Sequence, residues 1–165
     1  EMGAKLSFEE RRDPIGEPIA ELVVRASDLH GASPPARRAP AMIDEFPILA
    51  VIAAFADGET RITGAAELRV KESDRIALMV EGLRACGVEA EELPDGMIVQ
   101  GRGPKGVRGG AEITTHGDHR VAMAFLVLGM AAKEAVIVDD ADMIATSFPD
   151  FVGFMGALGA EIEEM

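Results

Sequence analysis

The 165-residue chain has no tryptophan, no tyrosine and a single cysteine. One thiol, Cys86, excludes an internal disulfide and any cysteine-based zinc site. It falls on the apolar face of a predicted helix, where a thiol packs as a small hydrophobe. With 7 Phe as the whole of the Phe, Trp and Tyr set, the core must be aliphatic. Positive charge is scarce as well: 16 Lys and Arg against 29 Asp and Glu leave a formal net charge of −13. Such a surface repels nucleic acid and anionic membranes, so neither is expected as a partner. An anionic ligand would need a local basic pocket. Long apolar runs are missing too, since a stretch such as residues 46–56 is too short to cross a bilayer. No secretory leader pattern opens the chain, and a cytosolic location is the expectation.

What is present suffices for a core. The chain is 48% hydrophobic, with a mean hydropathy of +0.14, enough for one domain or slightly more. Met2-Gly3-Ala4 reads as a helix end turning into a strand, so the expectation is a portion of a longer protein. Strands are predicted at 4–8 and 21–26, with loops at 9–18 and 30–40. Asp44 then stands before an apolar helix reaching residue 55. A turn at Asp57-Gly58 and a strand at 60–63 come next. A helix over 73–85 ends at Gly87. A hairpin runs through Pro94-Asp95-Gly96, from 88–92 to 97–100. Residues 101–110 form a basic, glycine-rich loop without phosphate-loop spacing, read as a linker rather than an anion cradle.

The second half repeats the first. A strand at 111–115 precedes Asp118 and an apolar helix over 121–132. A strand at 135–138, a helix from Ser147 to about residue 158 and a final strand at 159–163 follow. Asp118 lies 74 positions after Asp44, and Ser147 lies 74 after Ser73. Cys86-Gly87-Val88-Glu89 matches Leu158-Gly159-Ala160-Glu161, and Met2-Gly3-Ala4-Lys5 is a third copy of that junction. The expected architecture is α/β, with repeated β-α-β-α-β-β units around buried helices and mixed sheets outside. Residues 1–15 would be the tail of one unit, 16–104 a complete unit and 105–165 a second unit, all in one domain.

The charged stretch Leu68-Arg69-Val70-Lys71-Glu72-Ser73-Asp74-Arg75 breaks a local rule. It places cations at a helix start, where the macrodipole disfavours them, with carboxylates between. That pattern suits an anion and acid/base site, or a solvated helix start laced with ion pairs. Arg75 and Arg120 lie in first turns of helices from different units. Both can fork onto a carboxylate or phosphate, or pair with the adjacent Asp74 and Asp118. Asp44 reads as a plain N-cap or as one of two carboxylates, with Glu72, suited to general acid/base work. If the units are related by rotation, their helix N-termini make a shared positive rim. His116 and His119 flank Asp118 without a third ligand at metal spacing, so no metal is assigned. No nucleophile elbow occurs.

Asp44-Glu45-Phe46-Pro47, the 68–75 stretch, Asp118-His119-Arg120-Val121-Ala122-Met123 and Ser147-Phe148-Pro149-Asp150 together resemble the EPSP synthase (3-phosphoshikimate 1-carboxyvinyltransferase) family. The resemblance runs from Met2 to Glu163 and corresponds to the C-terminal portion, about two-fifths of that enzyme. It implies an enolpyruvyl transferase-like, inside-out α/β domain. It also implies transfer of the enolpyruvyl group from phosphoenolpyruvate to the 5-hydroxyl of shikimate 3-phosphate, in aromatic amino-acid biosynthesis, with no metal or organic cofactor. By position, Asp44 accepts the hydroxyl proton and contacts shikimate 3-phosphate, Lys71 contacts the same substrate, Arg75 and Arg120 hold phosphoenolpyruvate, and Glu72 is a candidate for proton transfer at C3. The form Ile144-Ala145-Thr146-Ser147-Phe148-Pro149 is similar to the bacterial branch associated with tolerance of glyphosate, the herbicide that targets this family. Thr146 stands where many members have a lysine. The missing partner would be the N-terminal domain of the same enzyme, and without it the chain is expected to be folded but silent. Two other readings stay open: a UDP-sugar enolpyruvyl transferase, and an anion-binding module without catalysis.

Overall fold

The computed structural model describes residues 1–11 and 19–164, and the side chains of Glu10 and Arg11 lie outside that description. Part of the expected 9–18 loop therefore falls outside the described residues. Strands β1 (Lys5–Arg11) and β2 (Ile19–Arg25) pair antiparallel, with Lys5 opposite Arg25 and Phe8 opposite Leu22. A short helix α1 (Ala39–Met42) and a 3-10 turn (Ile43–Glu45) lead into α2 (Phe46–Phe55). Pro47 sits in the first turn of α2, where the missing N–H is no loss. Strand β3 (Asp57–Ile62), a 3-10 turn (Ala66–Val70) and α3 (Arg75–Ala85) follow, then the hairpin β4 (Glu89–Leu93) and β5 (Gly96–Arg102). The sheet order is β3-β5-β4, all antiparallel. The rest is β6 (Glu112–Ile113), α4 (His119–Ala131), β7 (Ile137–Val138), a 3-10 stretch (Ala141–Thr146) and α5 (Phe151–Ala157).

The repeat is visible as geometry. His30 bridges Asp57 in parallel on either side of α2, and Gly109 bridges Glu134 in parallel on either side of α4. β6 and β7 extend the second bridge as a parallel pair. A parallel return needs a crossover, and the apolar helix of each unit supplies it. Helices α2, α3 and α4 all touch one another, and the three-stranded sheet covers α2 and α3. Ala50, Ala53, Ala54, Ile76, Met79, Leu83, Val121, Phe125 and Leu128 are buried at their meeting. Small residues let backbones approach closely. At Gly101 of β5 a Cβ would lie 2.1 Å from the Ala56 carbonyl oxygen. The buried-helix, mixed-sheet architecture read from the repeat is the architecture present.

Several local readings change. Asp44 is not the N-cap of α2: it lies inside the preceding 3-10 turn, and Glu45 occupies the cap position without a side-chain cap bond. Asp74, not Ser73, caps α3, accepting from the Ala77 amide. Ser147 ends a 3-10 stretch rather than opening α5, which begins at Phe151. Residues 159–163 form no strand. Asp57-Gly58 belongs to β3 rather than to a turn. At Asp44, Ser73 and Ser147 a short polar side chain fits a cap pattern in the sequence, while one 3-10 turn takes in Asp44 and another leads up to Ser147. Asp118 does cap α4, accepting from the Arg120 and Val121 amides.

Candidate functional site

Three helix starts converge. α3 begins beside α4 because the Ser73 hydroxyl and the Arg75 Nε both donate to Asp118 Oδ2, each at 2.8 Å. α4 begins beside α2 because Arg120 Nη1 donates to the Asp44 carbonyl at 2.8 Å and reaches Glu45 at 3.5 Å. Arg75 closes the triangle, with Nη1 3.0 Å from Asp44 Oδ1. Its Nη2 donates to Glu72 at 2.6 Å. Asp44, Glu72 with Arg75, and Arg120, from three separate points in the chain, therefore share one rim. Lys71 joins them with Nζ 3.9 Å from Asp44 and 2.6 Å from Glu67. The Glu67 hydrogen bond, partly opposed by desolvation, raises the Lys71 pKa and keeps the ammonium charged.

Arg75 is the centre of this arrangement. Its side chain is 1% exposed and Asp118 is fully buried, whereas Asp44 and Glu72 are 43% and 49% exposed. Neither of the simple ion pairs read from adjacency forms. Arg75 passes over Asp74 to Asp118, and Arg120 meets Asp118 through its backbone amide alone. The cations at the helix starts are tolerated because carboxylates, three of them on one guanidinium, outweigh the dipole. Two of the five guanidinium N–H groups have no partner among the described residues. Burial alone would push the Asp118 carboxyl up. The hydrogen bonds from Arg75 and Ser73, the Arg75 charge and the Val121 amide more than offset this and hold it below the usual range.

The support of the rim is also plain. Arg69 donates from Nε to the Pro94 carbonyl, from Nη2 to the Leu93 carbonyl and from Nη1 to Asp74, and it pairs with Glu92. It clamps the turn that carries Lys71 and Glu72 onto the β4–β5 hairpin. Sequence reasoning passed over Arg69, Ser73 and Asp118 as members of the site. For Arg69 the available signal was its place two residues before Lys71 in the same charged stretch. The basic loop is no anion cradle, since the Gly109 and Gly110 amides are bonded to the Cys86, Glu134 and Ala135 carbonyls, and Arg108 caps Ala85. Cys86 lies buried at the end of α3, and burial raises its pKa.

A family model described as EPSP synthase (3-phosphoshikimate 1-carboxyvinyltransferase) matches residues 1–155. The chain belongs to the EPSP synthase family. It is 62% identical over 162 residues to the 3-phosphoshikimate 1-carboxyvinyltransferase of Phenylobacterium zucineum, which covers 98% of this chain and 36% of that protein. It is 59% identical over 162 residues to the corresponding protein of Paramagnetospirillum magneticum, again 98% and 36%. The chain thus spans just over a third of the length of these relatives. Among solved structures, an EPSP synthase from Acinetobacter baumannii superposes with a TM-score of 0.91 at 42% identity, covering 98% of this chain and 38% of that one. The enolpyruvyl transferase NikO from Streptomyces tendae shares the fold, with a TM-score of 0.66 at 20% identity.

Proposed function

We propose that this chain is the C-terminal part of an enzyme that transfers the enolpyruvyl group of phosphoenolpyruvate to the 5-hydroxyl of shikimate 3-phosphate. Phosphate is the second product. The observation that carries this reading is the meeting of Asp44, Lys71, Glu72, Arg75 and Arg120 at three helix N-termini in a family member. Asp44 takes the proton of the attacking hydroxyl, and because Arg75 and Lys71 both approach its Oδ1, Oδ2 is left for that work. Arg75 and Arg120 neutralise the carboxylate and phosphate of phosphoenolpyruvate. Arg120 Nη2 has no protein partner among the described residues and is free for that purpose. Lys71 contacts shikimate 3-phosphate. Glu72, adjacent to the same guanidinium, moves the proton at C3. Loss of phosphate from the tetrahedral intermediate and loss of the proton gained at C3 then leave the enolpyruvyl ether.

The rim has one wall. A cleft of about 260 Å³ is lined by Met2, Leu6, Arg38 and Leu49 among others, and by none of these five residues. We assign the opposite wall to the N-terminal domain of the same enzyme, whose closure would exclude water. The unit bounds 1–15, 16–104 and 105–165, the cytoplasmic location and the role as a glyphosate target belong to the same proposal. Thr146 donates to the Met143 carbonyl and supplies no cation where many family members carry lysine. Transfer to a UDP-sugar is disfavoured because that chemistry uses a loop cysteine as acid, and Cys86 is buried.

The test is a chimera. The 162 matching residues of the 62% identical relative are exchanged for this chain, and formation of the enolpyruvyl ether is measured. Turnover is expected in the chimera and none in the isolated chain. Asp44→Ala should lower the chimera's rate about 10²–10⁴-fold, the usual worth of a positioned base. A chimera that folds and binds both substrates yet transfers nothing would leave the anion-binding module as the better reading.

A further inference from the structure

Arg75 carries three carboxylates, and they are not equivalent. Asp118 is fully buried and uses both oxygens: Oδ1 caps α4 through the Arg120 and Val121 amides, and Oδ2 takes Arg75 Nε and the Ser73 hydroxyl. It cannot leave without uncapping a helix. Glu72 reaches Arg75 from three residues earlier in the chain, is 49% exposed, and shows no other ion pair among the described residues. Asp44 is 43% exposed and divided between Arg75 and Lys71.

We propose that Asp118 is the positioning residue of this site, the permanent counter-ion that aims the Arg75 guanidinium, and that Glu72 is a replaceable stand-in which an incoming substrate anion displaces. This rests on the reading that the rim binds phosphoenolpyruvate. Arg75 closed under Glu72 is a ligand-free state whose population lowers apparent affinity by the fraction of time the carboxylate is in place. Displacement frees Glu72 beside the bound anion, where a proton-transfer group is needed. Asp118 acts through Arg75 and touches no substrate.

The two carboxylates make opposite predictions although each contributes one negative charge to the same guanidinium. Glu72→Gln removes the competitor and should tighten phosphoenolpyruvate binding several-fold. Asp118→Asn keeps the helix cap, because asparagine caps as well as aspartate. Its amide nitrogen, however, then faces the Arg75 Nε–H, donor against donor, while the Ser73 hydroxyl can turn to accept. Phosphoenolpyruvate binding should weaken about tenfold or more. Titration calorimetry on the chimera reads both. If charge alone governs, both variants tighten binding, and that result overturns the proposal, as would weakening in Glu72→Gln. Ser73→Ala, a gentler change that leaves every charge in place, is expected to weaken binding about threefold, in line with one lost hydrogen bond. Unchanged affinity there counts against Asp118 as the aiming group. A second measurement is independent of substrate identity. In the 165-residue chain the Arg75 Nε–H proton signal should be protected from exchange in the parent and in Glu72→Gln, and exposed in Asp118→Asn. Protection retained in Asp118→Asn would also overturn the proposal. A parent chimera that fails to bind phosphoenolpyruvate removes the functional reading while the exchange experiment still decides the role of Asp118.

Discussion

At Asp118 the effects that set a residue's charge oppose one another. Burial raises its pKa, while Arg75, Ser73 and the Val121 amide lower it, and the net direction is down. A carboxylate depressed on folding stabilises the fold above its unfolded value, about 3.9 for aspartate. That contribution is lost as pH falls through the lower folded value. Below about pH 4, the parent chain should therefore lose melting temperature more steeply than Asp118→Asn. Melting curves collected across the acid range check this, and parallel acid limbs in the two proteins would refute it. At neutral pH the variant is expected to be less stable, because one partner of a buried ion pair has been removed. Asp44 and Glu72 remain on Arg75 and keep the loss below the ~3–5 kcal/mol typical of an orphaned buried charge. The residues themselves were partly legible: Lys71, Glu72 and Arg75 stand out as charges that a helix start does not want. Asp118 was legible only as a cap. Its second role needs Arg75, 43 positions earlier, to arrive from another helix.

Among the elements, α3 and α4 meet at Gly82. A Cβ built there would lie 2.2 Å from the ring tip of Phe125, which is fully buried. Alanine ordinarily improves a helix interior by up to ~1 kcal/mol over glycine. Here the overlap with a ring that has no room to turn should cost ~1–3 kcal/mol, so Gly82→Ala is expected to destabilise on balance. The denaturant midpoint reads the outcome, and a midpoint raised in the variant would show that the helices can part. Since α3 carries Arg75 and α4 carries Arg120, the same change should also loosen the rim. The periodicity of these helices and the β4–β5 hairpin were readable because apolar spacing and Pro-Asp-Gly chemistry are local. Ser73 and Ser147 look like caps because a serine one or three residues before the true cap position, Asp74 or Asp150, looks the same in a string of letters. Which polar side chain folds back on the helix depends on the turn before it.

The chain as a whole has an apolar surface that its own fold leaves uncovered. On one face of the β1–β2 hairpin, Leu6, Phe8, Leu22 and Val24 are all more than half exposed and pair across the strands. Phe154 and Leu158 are exposed near the other end of the chain. Contiguous apolar patches of this kind drive association. The isolated 165-residue chain should therefore associate in a concentration-dependent way, and Phe8→Glu with Leu22→Lys should restore a monomer. Sedimentation velocity tests both, and a parent chain that stays monomeric over its whole soluble range would sink the expectation. Isolated chain and chimera are expected to differ here too, because the proposed N-terminal domain would cover this surface in the chimera.

From the letters alone came the repeat, the buried helices, the mixed sheets and the identity of the charged residues that gather at the rim. These follow from spacing within a few turns of chain, or, for the repeat, from such local patterns recurring 74 positions on, and periodicity is enforced by the geometry of the backbone itself. Tertiary structure alone decided that Arg75 is buried and that three carboxylates hold it. It also decided that Arg120 grips the backbone at Asp44 and that Arg69 pins the turn carrying Lys71 and Glu72 to a hairpin. Those contacts join segments dozens of residues apart, and long-range pairing of like candidates depends on how whole helices pack, which no local pattern encodes.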